Sequence, residues 1–247
     1  MKMSPSALLR AYLAETKFEC LRVLRTPGFS IPILVLPVAF YLLLGVAMAR
    51  GAGVGSVFFF VSFAVYGVLG PGLIGIGSLL SADRSQGILE FKRALPMPYA
   101  SYVISKLLMA IILSTVVTIV IGLLAAFVGG VALNAGQFTL IAVVVVLGVA
   151  PISAIGLVIA SYAPPSGASA IAGTLLVAMA ILAGLFYPLP PTFETLRTIW
   201  PTYHLQQLGL AAAAQASRGS VLGHFVVLIG FTAAFGFIAA RRLARPG

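Results

Sequence analysis

Residues 57–81, VFFFVSFAVYGVLGPGLIGIGSLLS, contain no charged side chain. A membrane-spanning helix needs about 20 mostly apolar residues, so this stretch predicts one. Further apolar runs of sufficient length lie at residues 29–49, 103–128, 138–162, 169–187 and 221–240. Irregular backbone and open sheet edges cannot face lipid. The pattern therefore predicts an all-α integral membrane protein with six transmembrane helices.

The composition agrees with a membrane domain that has no soluble domain appended to it. Hydrophobic residues make up 61% of the 247 residues and charged residues only 8%, whereas soluble domains carry about 25% charged residues. Basic residues accumulate in cytoplasmic loops of membrane proteins, so the net charge of +10 does not indicate a nucleic-acid partner. The single cysteine, Cys20, excludes an internal disulfide and a cysteine-bound metal.

The distribution of Lys and Arg between alternate loops predicts the orientation. Twelve of these residues fall on the side of the termini and of the loop 82–102, and three fall on the opposite side. By the positive-inside rule, both termini are cytoplasmic. We expect a multi-pass protein of the bacterial inner membrane, surrounded by lipid.

Residues 1–28 form a separate unit before the transmembrane domain of residues 29–247. At 100° per residue, the apolar side chains of this segment gather within an arc of about 120°, and they include Leu9, Tyr12, Leu13, Thr16, Cys20, Val23 and Leu24. This predicts an amphipathic helix lying in the cytoplasmic interface of the membrane. The alternative is an ordinary solvated helix.

The loop 82–102 is the only predicted cytoplasmic loop of any substance. A short helix can begin after Gly87 and stop before Pro96, and it would carry Glu90, Phe91, Arg93 and Leu95. Its mixture of apolar and charged side chains suits a protein partner. A plain tether facing lipid headgroups is the alternative.

The predicted outer segment, 188–220, is longer than a hairpin requires and is not hydrophilic. Phe193, Leu196, Ile199 and Trp200 share one face of a short helix, and Pro201 ends it. We expect a re-entrant hairpin of two short helices that dips into the outer leaflet. Aromatic side chains such as Tyr187, Trp200 and Tyr203 suit the membrane interface.

The sequence lacks residues that are typical of ATP hydrolysis and of ion-driven transport. A phosphate-binding P-loop requires a Gly-Lys pair, and the chain has none, so ATP hydrolysis would need another polypeptide. None of the five acids falls in a predicted span, which disfavours an ion-driven carrier. Lys106 lies near the start of the third span, where it can extend to the interface. We expect no metal or cofactor on this chain.

Two alternative functions stay open at this point. One is an ATP-independent channel or carrier. The other is a rhomboid-type serine protease, because Gly167-Ala168-Ser169-Ala170 has a Gly-x-Ser-x pattern and His224 could be its base. The predicted topology puts Ser169 and His224 on opposite sides of a bilayer about 30 Å thick. It favours Ser169 as a helix N-cap and His204 and His224 as interfacial residues.

The order of these parts resembles the ATP-binding-cassette type-2 export permeases over nearly the whole chain. The resemblance rests on the entry helix, the six spans, Gly87-Ile88-Leu89-Glu90, Leu95-Pro96 and Lys106, and the outer hairpin ending at Trp200-Pro201. Asp83-Arg84-Ser85-Gln86 departs from the two-glutamate stretch common before that glycine.

The resemblance implies a permease domain that works with partner subunits. Two cytoplasmic cassette ATPase subunits would hold ATP and Mg, and a second copy of this chain or a similar one would complete the permease. The helix of residues 85–96 would be the coupling helix, with Gly87, Glu90, Phe91, Arg93, Leu95 and Pro96 as its coupling residues.

The resemblance also implies a cargo pathway between the permease copies, lined by the first, second and fifth spans. Its candidate residues are Gly67, Gly70, Gly184, Phe186 and Tyr187. The alternative for the glycines of the second span is packing within one subunit. A pathway without fixed charge favours an amphipathic, drug-like or lipid-like cargo.

Overall fold

The computed structural model describes residues 5–48, 55–94 and 99–243. Leu95 and Pro96 lie outside these ranges, and the side chain of Arg93 is not described. Within these ranges the structure has helices and no strand. Six helices are long and apolar enough to cross a membrane, at Pro27–Ala47, Ser56–Ser85, Ser101–Phe127, Ala135–Tyr162, Pro165–Leu182 and Val221–Leu243. The predicted all-α fold with six spans is confirmed, and we number these helices spans 1 to 6.

Shorter helices precede or connect these spans in the described ranges. Helix α1, Pro5–Leu24, precedes span 1. Helix α2, Ile88–Ala94, follows span 2. Helix α3, Pro201–Ala212, precedes span 6 and is itself preceded by a short turn, Pro191–Phe193, and a helix, Glu194–Thr198. We refer to the two ends of the bundle as the α1 end and the α3 end.

Proline and glycine interrupt the regular helix in three spans. Span 1 contains π-helical turns at Ile31–Val35 and Tyr41–Met48, near Pro32 and Pro37. Span 2 contains such turns at Gly70–Gly75 around Pro71. Proline removes a backbone hydrogen bond and displaces the preceding turn. Span 4 divides into Ala135–Leu147 and Val149–Tyr162 at Gly148.

Span 2 is the centre of the bundle, and its glycines bring neighbouring helices close. Of its apolar stretch, 83% is buried. A Cβ atom added to Gly67 would lie 2.6 Å from Val117 Cγ1 of span 3, and one added to Gly70 would lie 2.9 Å from Ile33 Cα of span 1. The absence of a side chain therefore permits close helix packing.

The cargo pathway expected at Gly67 and Gly70 stays a prediction, but their packing favours the alternative role within one subunit. Both residues are buried inside one subunit against spans 1 and 3. The alternative, packing within the subunit, accounts for them. Neither position reaches the surface of the single subunit.

The segment before span 6 enters the bundle more deeply than a surface hairpin would. Every residue from Pro201 to Leu210 is buried. Thr202 Oγ1 donates to the carbonyl of Met179 at 3.1 Å, and Gln206 Nε2 donates to Ser62 Oγ at 2.7 Å. These bonds satisfy polar groups in an apolar environment. The predicted short helices are present, and α3 is an internal element.

The packing of span 2 predicts the effect of Gly70→Ala. The added methyl group would meet the backbone of span 1 at Ile33, so the helices must separate or shift. We expect a loss of about 1–3 kcal/mol in the free energy of unfolding. Denaturant titration of the protein in detergent micelles measures this loss.

Gly230→Ala in span 6 is the matched control, because an added Cβ atom there meets no atom within 4 Å. We expect this variant to unfold like the wild type. Equal stability of the two variants would contradict the close approach of spans 1 and 2.

A buried charge cluster beside the helix after span 2

Helix α2 is anchored on one side and exposed on the other. Gly87, with φ of +71°, makes the turn from span 2 into this helix, a conformation that glycine adopts without strain. Leu89 is buried in a cluster with Leu80, Tyr102 and Ala160. Phe91 is 66% exposed. Glu90 is also exposed, and no hydrogen bond or ion pair joins it to the described part of the chain.

Four charged side chains form a cluster beside this helix, between α1, span 2 and span 3. Lys106 Nζ of span 3 lies 2.9 Å from Asp83 Oδ2 of span 2 and 2.8 Å from Glu19 Oε1 of α1. Arg22 Nη1 of α1 lies 2.6 Å from Asp83 Oδ1. The hydroxyl of Tyr102 donates to Asp83 Oδ2.

The cluster is electrically balanced, and three of its four side chains are buried, whereas Arg22 is 36% exposed. Lys106 has 0% exposed side-chain surface and Asp83 has 1%. The two carboxylates of Asp83 and Glu19 neutralise the cations of Lys106 and Arg22. The second oxygen of Glu19 has no hydrogen-bond partner in the described residues, so this carboxylate depends on Lys106. Burial is tolerated because each charge has an opposite partner.

These contacts correct two expectations about charge in the membrane domain. Asp83 lies within span 2, which continues as a helix to Ser85 instead of ending with the apolar run at residue 81. Lys106 turns inward to Asp83 and Glu19 and does not extend to the interface. The predicted apolar arc of α1 also omitted Glu19, whose side chain faces the bundle.

Two further contacts extend the cluster to α2 and span 4. The ammonium of Lys92 on α2 pairs with the carboxylate of Glu15 on α1. Arg84 donates to the carbonyls of Ser161 and Ala163, the second at 2.9 Å. Ser81 Oγ also donates to Ala163 O, at 2.7 Å. The end of span 2 therefore satisfies carbonyl groups left open at the end of span 4.

Burial and neighbouring charges shift the pKa values of three groups around the cluster. Burial, followed by the charge of Lys106, lowers the pKa of Lys92. Burial by itself would lower the pKa of Arg22, because it disfavours the charged form. The hydrogen bond and the charge of Asp83 outweigh this effect and raise the pKa of Arg22 above its ordinary value. Burial and the charge of Glu19 raise the pKa of the Cys20 thiol, which makes it a poor nucleophile.

Comparison of the chain with known proteins shows that it matches a transporter family. The family model described as "ABC-2 type transporter" matches residues 10–212, from α1 through α3. The chain belongs to this ABC-2 family. It is also 24% identical over 205 residues to the Bacillus subtilis (strain 168) protein "Putative transport permease YvfS", covering 81% of this chain and 82% of that protein. It is thus a multi-pass transporter membrane subunit.

Two histidines form a second polar cluster at the α3 end of this ABC-2 subunit, and the sequence did not indicate that they are in contact. His204 Nδ1 of α3 lies 2.8 Å from His224 Nδ1 of span 6. Their Nε2 atoms lie 2.9 Å and 2.7 Å from the carbonyls of Thr198 and Arg218. Both histidines are buried, in contrast to the predicted interfacial position, and burial lowers the pKa of His204.

The positions of Ser169 and His224 explain why the protease hypothesis fails. Ser169 is not the N-cap of span 5, which begins at Pro165 after the N-cap residue Pro164. Ser169 Oγ lies within hydrogen-bond distance of Ser78 Oγ, at 3.1 Å, and of the carbonyl oxygen of Pro165, at 3.2 Å. His224 contacts His204 and Arg218 at the α3 end. The hydroxyl and the imidazole therefore have separate partners at separate ends of the bundle.

The other candidate pathway residues lie where span 5 ends. Gly184 has φ of +79° and turns the chain. Phe186 packs against Phe40, Phe63 and Tyr66, with ring centroids 5.5–5.9 Å apart. Tyr187 is 57% exposed. Phe186 and Tyr187 are therefore closer to the surface of the subunit than the glycines of span 2.

The charge cluster predicts that Lys106→Met destabilises the subunit strongly. The substitution leaves the carboxylates of Asp83 and Glu19 buried with one cation between them, a situation that costs about 3–5 kcal/mol. The combined Lys106→Met and Glu19→Gln variant retains the Arg22–Asp83 pair and should recover much of this loss. Denaturant titration in detergent measures both effects.

Lys17→Met is the control for removal of a lysine from the α1 end. Lys17 is exposed and makes no ion pair within the described ranges, so its substitution should change stability by no more than about 0.5 kcal/mol. If Lys106→Met is as mild as Lys17→Met, the cluster does not hold the three helices together.

Proposed function

We propose that this chain is the membrane subunit of an ATP-driven exporter, with separate cytoplasmic ATPase subunits that dock on α2. The observation that carries the proposal is the division of α2 into a fixed and a free side. Leu89 and Lys92 attach it to the bundle and to α1, whereas Phe91 and Glu90 stay exposed. An exposed aromatic ring beside an unpaired charge suits a protein partner.

The contacts of α2 supply a route by which a partner could act on the spans. Displacement of α2 acts on α1 through Lys92 and Glu15. Helix α1 is joined to spans 2 and 3 through Glu19, Arg22, Asp83 and Lys106. ATP binding can move the spans only if it changes the free energy of such contacts. The ATP and Mg required would be held by the partner.

The cargo that we propose is an amphipathic, drug-like or lipid-like molecule. The four charges of the cluster between α1, span 2 and span 3 neutralise one another, so this cluster has no net charge with which to select an ion. Phe40 of span 1 and Phe186 at the end of span 5 are partly exposed and offer aromatic surface, supported from below by the buried rings of Phe63 and Tyr66. A second permease copy would complete the pathway next to Tyr187.

We further propose that the α1 end lies in the cytoplasm of a bacterial inner membrane, because basic residues predominate there. In a Cys20→Ser background, a cysteine at position 217 in place of Ser217 should react with an impermeant thiol reagent in whole cells. A cysteine in place of Ser85, which is exposed at the α1 end, should react only after lysis. The reverse pattern of labelling would invert the topology.

The docking proposal predicts different effects for Phe91→Ala and Glu90→Ala. Burial of a phenylalanine side chain contributes about 1.5–3 kcal/mol, so Phe91→Ala should weaken ATPase binding roughly ten- to hundredfold. Glu90→Ala removes a charge that orients the helix more than it adds affinity. This variant should keep the ATPase bound but uncouple ATP hydrolysis from export. Copurification, substrate-stimulated hydrolysis and export assays distinguish the two effects.

Phe127→Ala is the matched control, because Phe127 is 83% exposed at the opposite end of span 3. It should bind the ATPase and export like the wild type. Unchanged assembly and export in both α2 variants would refute docking on α2. Purification of an active transporter without any nucleotide-binding chain would instead favour an ATP-independent channel or carrier.

A further inference from the structure

Span 6 presents most of its surface outward. Only 11% of its apolar stretch is buried. One row of side chains, spaced four residues apart, runs along this helix from the α3 end to the α1 end and comprises Phe225, Ile229, Ala233, Phe237 and Arg241. Residues at this spacing form a continuous ridge on a helix. The ridge passes two cavities on the seam between spans 4 and 6.

The first cavity is an apolar groove of about 440 Å³. Its lining residues come from span 4, α3 and span 6, and Thr232 is the single residue among them with a polar side chain; they are Val144, Leu147, Ala150, Pro151, Leu208, Phe225, Leu228, Ile229, Thr232 and Ala233. A groove of this composition facing the membrane accommodates hydrocarbon.

The second cavity, of about 230 Å³, lies further along the same ridge at the α1 end. It is lined by Tyr162, Phe237, Ile238, Arg241 and Arg242. The Arg241 guanidinium lies 5.3 Å from the Phe237 ring centroid, and that of Arg242 lies 5.8 Å from the Tyr162 ring centroid. Stacking on the rings holds both cations at the cavity.

Neither arginine is neutralised by an acidic side chain of its own chain. All five acids fall within the described residues, and four of them pair with other cations: Glu15, Glu19, Asp83 and Glu194. The fifth, Glu90, makes no ion pair with a described residue. Arg241 and Arg242 therefore form a site with two positive charges at the end of a membrane-spanning helix, and such a site favours an anion.

We propose that the seam between spans 4 and 6 binds an anionic phospholipid, with its phosphate at Arg241 and Arg242 and an acyl chain along the ridge to the groove. Eight residues of helix separate Arg241 from Ala233, the residue of span 6 that lines the near end of the groove, a rise of about 12 Å. Half of the hydrocarbon core of a bilayer measures about 15 Å. A chain that starts at the headgroup level therefore reaches the groove.

The two cavities together favour a lipid over other anions or partners. Free phosphate would use the arginines but not the apolar groove. A second copy of the chain would bring no unpaired carboxylate except Glu90, which lies on α2 and not on a span. A zwitterionic lipid has no net charge to match the two cations.

The test measures the thermal stabilisation of the full chain, in detergent micelles, by added phosphatidylglycerol, phosphatidylcholine and inorganic phosphate. Phosphatidylglycerol should stabilise the wild type at much lower concentrations than phosphatidylcholine, and phosphate should have no comparable effect. Each cation near a lipid surface changes affinity about fivefold. Arg241→Gln with Arg242→Gln should therefore weaken phosphatidylglycerol binding about 25-fold.

Two control variants separate the site from general attraction to basic protein. Arg10→Gln with Arg25→Gln removes the same charge from exposed positions in α1 and directly after it. This variant should keep the affinity within about twofold of the wild type, because neither arginine lines the seam. Ala233→Trp fills the groove without any change of charge, and it should weaken binding of long-chain phosphatidylglycerol while the protein stays folded.

Several outcomes would overturn the proposal. Equal binding of phosphatidylglycerol and phosphatidylcholine would remove the role of the two cations. Equal stabilisation by phosphate, or no effect of Ala233→Trp, would remove the role of the groove. Dissociation of an oligomer on substitution of Arg241 and Arg242, seen by light scattering, would make the seam an interface between copies.

Discussion

The ammonium of Lys106 has no contact with solvent, and its charge is balanced by Asp83 and Glu19 at under 3 Å. This arrangement fixes the relative positions of α1, span 2 and span 3, because separation of any one of them leaves a buried charge without its partner. Arg84 and Ser81 extend the constraint to the end of span 4. The α1 end of the bundle is therefore held by polar contacts, whereas its middle is held by the close packing of span 2.

The charge cluster and α2 form one mechanical unit of the transporter subunit. The anchored side of α2 reaches the cluster through Leu89, Tyr102 and the Lys92–Glu15 pair. Its exposed side offers Phe91 and Glu90. A stiff connection of this kind suits the transmission of movement from α2 to the spans. Buried ion pairs have well-defined geometry, and if they were pulled apart, each charge would lose the partner that neutralises it.

The α3 end and the outer surface of the bundle depend on contacts of a different kind. Helix α3 fills the space between spans 2, 4 and 6, and the His204–His224 contact holds it to span 6. Span 6 is the least enclosed of the six spans, so its environment is set by whatever surrounds the subunit. Membrane lipid therefore contributes to the structure at this seam in the way that neighbouring helices do elsewhere.

The sequence by itself determined the number of spans, the all-α fold and the short helix after Gly87, because hydrophobic run length and local turn chemistry depend only on neighbouring residues. It did not reveal the partners of Asp83, Glu19 and Lys106, which are far apart in the chain and looked like interfacial charges. It also left the glycines of span 2 and the position of α3 undecided. Only the tertiary structure decided these features, because a charge or a glycine can be buried only where another helix supplies its counter-charge or its close contact.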